Sequence, residues 1–291
     1  MEGILTALIT PFKNNKIDWP AFESMVQNQI EADISGLIIS GTTGEAPTLS
    51  KEEKIDLFKC AVDIGKGKTA IIAGSGSNNT ADSISFSEKV AALGVDGVLL
   101  VAPYYNKPSQ EGMFQHFSAI AKAIDPLAVV LYNVPSRTSS DLLPETIARL
   151  AKHKNITHVK EATGLMERVT EIVKQAPRLV VLSGDDKTFF HGLRFGMKGI
   201  ISVASNLVPK PMIELYNSFI AGDVDKAESI NHKLEPLYQF LFCETNPVPA
   251  KAAAAHLGWI SEEIRLPLVP LSLKNRDHLK EVMALIQKHF Q

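Results

Sequence analysis

Short apolar runs rich in β-branched residues recur along the chain. Each closes on small or polar residues and leads into a stretch whose apolar positions repeat at helical spacing. The runs read GILTALITP from Gly3, GLIISGTTGE from Gly36, TAIIAGSGSN from Thr69, GVLLVAPYYN from Gly97, AVVLYNVPSRT from Ala128, ITHVKEATG from Ile156, LVVLSGDD from Leu179 and GIISVASN from Gly199. Their length and near-continuous apolarity suit a parallel sheet buried on both faces. Between them, Lys51 to Ile64, Asp82 to Leu93, Glu111 to Ile124 and Leu165 to Lys174 predict helices. In the first, Ile55, Leu57, Phe58, Ala61 and Val62 form an apolar stripe, and Ser50 with Glu52 and Glu53 supplies a capping-box start. Strand-helix units repeated in this way predict an α/β fold, a (β/α)8 TIM barrel, with a doubly wound sheet as the alternative. After Asn206 the strands stop, and Pro209 to Ala221, Val224 to Phe242, Pro249 to Leu257 and Asn275 to His289 read as helices. The expected division is a barrel over 1–225 that carries the active site and a C-terminal helical region over 226–291.

Composition narrows the function by exclusion. The 291 residues carry 30 Lys and Arg against 32 Asp and Glu, a formal net charge of -2, so no broad positive field invites nucleic acid or a membrane surface. The partner expected is a small molecule. Two cysteines, Cys60 and Cys243, show neither disulfide nor metal-ligand spacing and are expected as buried apolar thiols. The opening MEGILTALITPFKNNK lacks a basic n-region and a long apolar core, and no run approaches a membrane span, so a cytoplasmic protein is expected.

Barrel enzymes place reactive groups at the C-terminal ends of the strands, where loops vary without disturbing the packed interior. Those ends offer Thr42, Thr43 and Glu45; Ser75 to Asn78; Tyr104 and Tyr105; Tyr132, Asn133 and Arg137; Lys160 and Glu161; Ser183 to Asp186; and Ser202 to Asn206. Lys160 is the most unusual, because it closes an apolar strand. By strict alternation it shares a face with Ile156 and His158, opposite Thr157 and Val159, but spacing alone leaves that face unassigned. If it points inward, desolvation lowers its pKa and frees the amine to attack a carbonyl and form an imine. If it points outward, it is a rim lysine reaching water or pairing with Glu161. Imine chemistry needs a proton shuttle, and Tyr132, on the preceding strand, with the hydroxyls of Thr42 and Tyr105, supplies candidates around one mouth. Arg137, in a loop stiffened by Pro135, is either a carboxylate fork or a surface ion-pair partner.

GTTGE from Gly41, PYYNKPSQEG from Pro103, YNVPSRT from Tyr132, VKEATG from Val159 and SGDD from Ser183 together resemble, essentially end to end, the dihydrodipicolinate synthases within the N-acetylneuraminate lyase family of class I, Schiff-base aldolases. The resemblance implies a lyase that condenses pyruvate with L-aspartate 4-semialdehyde in lysine and diaminopimelate biosynthesis. It implies Lys160 as the Schiff-base lysine, with Tyr132, Thr42 and Tyr105 as the proton relay. Thr43 is then the pyruvate carboxylate site, Gly184 and Ile201 shape the floor, and Arg137 holds the semialdehyde carboxylate. No metal and no organic cofactor is implied. The tyrosine matching Tyr105 reaches the neighbouring subunit's site, so a homo-oligomer is implied, a dimer at least and commonly a dimer of dimers.

Lysine-inhibited relatives bind their end product near positions matching Ala46, Pro47, Lys51, Lys54, Asn78, Asp82 and Tyr104. This chain departs from that pattern, with lysines where histidines are common and Asp82 where a longer glutamate is common. Weak or absent inhibition by lysine is therefore expected. Sialate lyases and keto-deoxy sugar-acid aldolases share the lysine and the tyrosine; Thr42 and Arg137 favour the synthase. A silent small-molecule-binding barrel is the alternative from another class.

Overall fold

In the computed structural model, which describes residues 1–290, eight parallel strands close into a barrel. In chain order they are β1 (Gly3–Ala7), β2 (Gly36–Ile39), β3 (Ala70–Gly74), β4 (Gly97–Val101), β5 (Ala128–Asn133), β6 (Ile156–Glu161), β7 (Val180–Ser183) and β8 (Gly199–Ser202). All eight apolar runs form barrel strands, each paired with its sequence neighbours and β8 with β1. At the closing seam the backbones approach so tightly that a Cβ on Gly199 would stand 2.1 Å from the Gly3 carbonyl oxygen, so only glycine fits. A short hairpin, Phe12–Lys13 paired with Lys16–Ile17, follows β1 and is not legible as strand in the sequence.

Helices α1 (Trp19–Glu31), α2 (Lys51–Gly65), α3 (Thr80–Ala91), α4 (Gln110–Ala123), α5 (Pro144–Leu150), α6 (Met166–Gln175), α7 (Asp186–Leu193) and α8 (Pro209–Ile220) surround the sheet. The capping box of α2 forms as expected: the Glu53 N–H donates to Ser50 Oγ at 3.1 Å, and the Ser50 N–H donates to the Glu53 carboxylate at 2.9 Å. The C-terminal helices are α9 (Val224–Leu241), α10 (Val248–His256) and α11 (Leu273–Phe290). Their apolar faces join the same outer core as α8 and the outward strand residues, for example Leu234, Leu237 and Val282 with Leu215. Cys60 is half-buried and Cys243 is exposed, which corrects the expectation of two buried thiols. Cys243 lies beyond the end of α9, where no apolar stripe carries it inward.

A second, smaller core fills the barrel itself: Leu5, Ile38, Ile72, Leu99, Val130, Leu182 and Ile201 meet inside with Tyr132. Strict alternation fails once in β6. Val129 pairs with Ile156, yet Val130 pairs with His158, so the register shifts by one residue. Ile156 consequently packs outward with Val159 and does not share the face of Lys160, a correction to the alternation expected from spacing. The shift brings Lys160 opposite Tyr132 in the ladder, and paired residues point to the same side of a sheet. Tyr132 belongs to the inner core, so Lys160 points in.

Candidate active site

The inward turn of Lys160 excludes the rim position. The residue is 6% exposed, and Nζ lies over the Tyr132 ring, 4.3 Å from the centroid. Glu161, the alternative ion-pair partner, points to the opposite face, where its carboxylate accepts from Arg168 Nε at 3.0 Å, Asn133 Nδ2 at 3.1 Å and the Thr163 N–H at 2.8 Å. Gly184, at the end of β7, makes room for the lysine: a Cβ there would stand 3.1 Å from Lys160 Cε and 2.6 Å from Ala162 Cβ.

Lys160 opens into a cavity of about 250 Å³ lined by Thr42, Thr43, Tyr132, Arg137 and Gly184, together with Ser136, Asp185, Val203, Phe242 and Asn246. Of the groups assigned to one mouth from the sequence, Lys160, Tyr132 and Thr42 therefore meet. Tyr105 does not. It is 89% exposed, stands in left-handed backbone at φ 72, and lines no part of this chain's cavity, because the loop after β4 carries it outward. Ile201 packs in the inner core with Leu182 and is not among the cavity-lining groups. Arg137 projects from a single helical turn, Pro135–Thr138, and Nη2 donates to the Asn246 carbonyl at 3.4 Å. Thr43 is buried, and its hydroxyl accepts from Asn246 Nδ2 at 2.9 Å.

Asn246 and Phe242 line the candidate site and are missed by sequence reasoning. They come from the segment between α9 and α10, and Asn246 lies 203 residues from the Thr43 it contacts. The Asn-Pro step at 246–247 marks a turn in the sequence, but nothing local says that the turn lies over the barrel mouth. Asp186, at the start of α7, accepts from Ser202 Oγ at 2.5 Å and from the N–H groups of Val203 and Ala204 at 2.9 and 3.2 Å. It thereby fixes the turn after β8 that presents Val203 to the cavity. Burial pushes its carboxyl up to about 6, against the pull of those donors. Deeper in the barrel, His158 contacts the amino group and carbonyl of Met1, and burial with the terminal charge lowers its pKa to about 4.

A neighbouring cavity of about 280 Å³ shares Thr42, Tyr132 and Arg137 and runs out to Ala46, Pro47, Lys54 and Tyr104. Asn78 Nδ2 donates to the Tyr104 carbonyl at 3.1 Å, and Lys51 pairs directly with Asp82. The seven positions of the expected effector site are thus gathered along one edge. Burial lowers the pKa of Lys54, with Asp82 opposing and Lys51 reinforcing the shift.

A family model described as the dihydrodipicolinate synthetase family matches residues 1–287. A 4-hydroxy-tetrahydrodipicolinate synthase of Leptospira biflexa serovar Patoc is 46% identical over 272 residues, covering 93% of this chain and 92% of that protein. Among solved structures, the 4-hydroxy-tetrahydrodipicolinate synthase of Methylacidiphilum fumariolicum SolV superposes with a TM-score of 0.97 at 44% identity, covering 99% of this chain and 96% of that one. A chloride-inhibited dihydrodipicolinate synthase from Acinetobacter baumannii, complexed with pyruvate, superposes with a TM-score of 0.95 at 39% identity, covering 98% of each chain.

Proposed function

The chain belongs to the dihydrodipicolinate synthetase family, and from that premise we propose that it condenses pyruvate with L-aspartate 4-semialdehyde to 4-hydroxy-tetrahydrodipicolinate through a Schiff base on Lys160. This is a lyase reaction of lysine and diaminopimelate biosynthesis. One observation carries the assignment of the nucleophile: the Lys160 amine is enclosed in the barrel over Tyr132, in a cavity that also presents Thr42, Thr43 and Arg137.

The chemistry follows from these groups. The neutral amine adds to the pyruvate carbonyl carbon, and the oxygen takes a proton from the Tyr132 hydroxyl, which Thr42 replenishes. Loss of water gives the imine, whose electron demand lets C3 give a proton to the Tyr132–Thr42 relay and become an enamine carbon; the same relay returns that proton to the aldehyde oxygen when the new carbon–carbon bond forms. The enamine carbon attacks the aldehyde, and the semialdehyde's own amine then displaces Lys160 and closes the ring. Thr43 holds the pyruvate carboxylate, Gly184 keeps the lysine's path open, Ile201 backs the floor, and Arg137 takes the semialdehyde carboxylate with its planar fork.

The reading extends to the whole chain. In this reading the barrel, 1–225, bears the nucleophile and the helical region, 226–291, brings Asn246 to it, although the division at 225 falls inside the first turn of α9 (Val224–Leu241). The reading includes a cytoplasmic homo-oligomer, a dimer at least; the exposed Tyr105, which lines no part of this chain's own cavity, supports a second copy whose relay it would complete. At the effector positions, Asp82 is already paired with Lys51 while Lys54 adds a second cation, so a cationic amino acid meets net repulsion. Lysine at cellular concentrations is expected to leave the initial rate unchanged; an inhibition constant near those concentrations would sink that part of the reading.

The deciding assay compares condensation of pyruvate with aspartate semialdehyde by the purified protein against cleavage of N-acetylneuraminate and of keto-deoxy sugar acids. Turnover confined to the semialdehyde, with a borohydride-reduced pyruvyl adduct on the Lys160 peptide, is expected. An adduct absent at saturating pyruvate would refute the Schiff base.

A further inference from the structure

The turn that carries Thr42 and Thr43 is gripped from behind by the C-terminal helices. Lys251, on α10, places Nζ 2.5 Å from Glu45 Oε1, and both side chains are 1% exposed. The other carboxylate oxygen of Glu45 accepts the Arg265 N–H at 3.1 Å, and Lys251 Nζ lies over the Phe12 ring, 4.3 Å from the centroid. Glu45 itself stands in left-handed backbone at φ 56, a conformation that a non-glycine residue keeps only where its surroundings over-determine it. From there its N–H reaches the Thr42 carbonyl at 3.1 Å, while the Ala46 N–H reaches the Gly41 carbonyl at 3.2 Å, closing the turn. Two residues upstream of Glu45, the Thr43 hydroxyl is tied to Asn246, so the same C-terminal segment touches the turn twice.

A fully buried ion pair roughly breaks even against apolar replacement, because desolvating two charges offsets their attraction. Net stability therefore explains little of why both charges are placed here; geometry explains more. We propose that Glu45 and Lys251 are positioning residues for the Schiff-base site: through them the C-terminal helices set the turn that aims Thr42 and Thr43 into the cavity of Lys160. The inference rests on the site reading above, and it makes the C-terminal helices part of the catalytic apparatus without giving them a reacting group.

Glu45→Gln, Lys251→Met and the two combined are compared with the wild type by thermal unfolding, by kcat and pyruvate KM, and by borohydride-trapped pyruvate per subunit. Each single variant leaves one buried charge unpaired and is expected to lose thermal stability. The combined variant removes both charges at similar volume and is expected to regain most of that stability. Its kcat nevertheless stays down by about tenfold or more and its pyruvate KM rises severalfold, while saturating pyruvate still traps on Lys160. Wild-type kcat and KM in the combined variant would make the pair a packing feature and overturn the proposal. If that variant does not fold, Glu45→Gln, which retains an acceptor for the Arg265 N–H, takes its place in the comparison, and unchanged kcat and KM there would overturn the proposal equally. A wild type that traps no pyruvate would overturn the site reading and this proposal together; an active wild type with kinetically unchanged variants would overturn the positioning role alone.

Discussion

Lys160→Ala is expected to lower condensation on the order of 10⁴-fold or more and to abolish the borohydride-trapped pyruvate adduct. The loss is large because the covalent step has no substitute: among the described residues, the groups lining the cavity with Lys160 are hydroxyls, an arginine, an amide, Asp185 and apolar side chains, and none is an amine able to form an imine. Lys160→Arg separates charge from nucleophilicity. A guanidinium puts a permanent positive charge over Tyr132 and does not deprotonate in a protein, so it should be as inactive as alanine. Initial rates and intact mass after reduction in pyruvate check both variants. Turnover within about tenfold of wild type in either one would show that the amine is not the reacting group.

Tyr132→Phe is expected to cost about 10²- to 10⁴-fold in kcat, the range for removing a positioned general acid–base group. The substitution keeps the ring that Lys160 Nζ overlies, and the inner core with Val130 and Leu182 retains its volume. The change is therefore chemical more than architectural. Pyruvate KM should move little, since Tyr132 is assigned to proton transfer and Thr43 to the carboxylate. Pre-steady-state trapping should show the adduct forming slowly but to the full extent. A kcat within about threefold of wild type would remove Tyr132 from the relay and leave Thr42 to act with another donor.

Much of this molecule is readable along the chain. Strand after strand, apolar β-branched runs in the sequence coincide with barrel strands, and the α2 capping box follows directly from Ser50 and Glu53. Such features are local, decided by side chains within a few residues of one another. Lys160 stands out for the same reason: a lysine closing an apolar strand is anomalous wherever the strand ends up. What escapes is non-local. Asn246 and Phe242 look like ordinary loop and helix-end residues until the C-terminal segment is laid over the barrel mouth. Glu45 is legible only as one polar residue at a strand end, and nothing along the chain joins it to Lys251 until the fold buries each against the other. Tyr105 groups with the other hydroxyls by strand position, yet its loop turns it away from them.

By itself, then, the sequence determined the repeating strand-helix unit, the eight strand segments and the residue types available at the strand ends, because periodicity and capping act over a single element. The tertiary structure alone decided which of those residues share a cavity and which way Lys160 faces. The physical reason lies in the period of a strand. Alternation assigns faces only as long as the register holds, and one extra residue between Ile156 and His158 sends Ile156 to the outer core and Lys160 to the interior beside Tyr132.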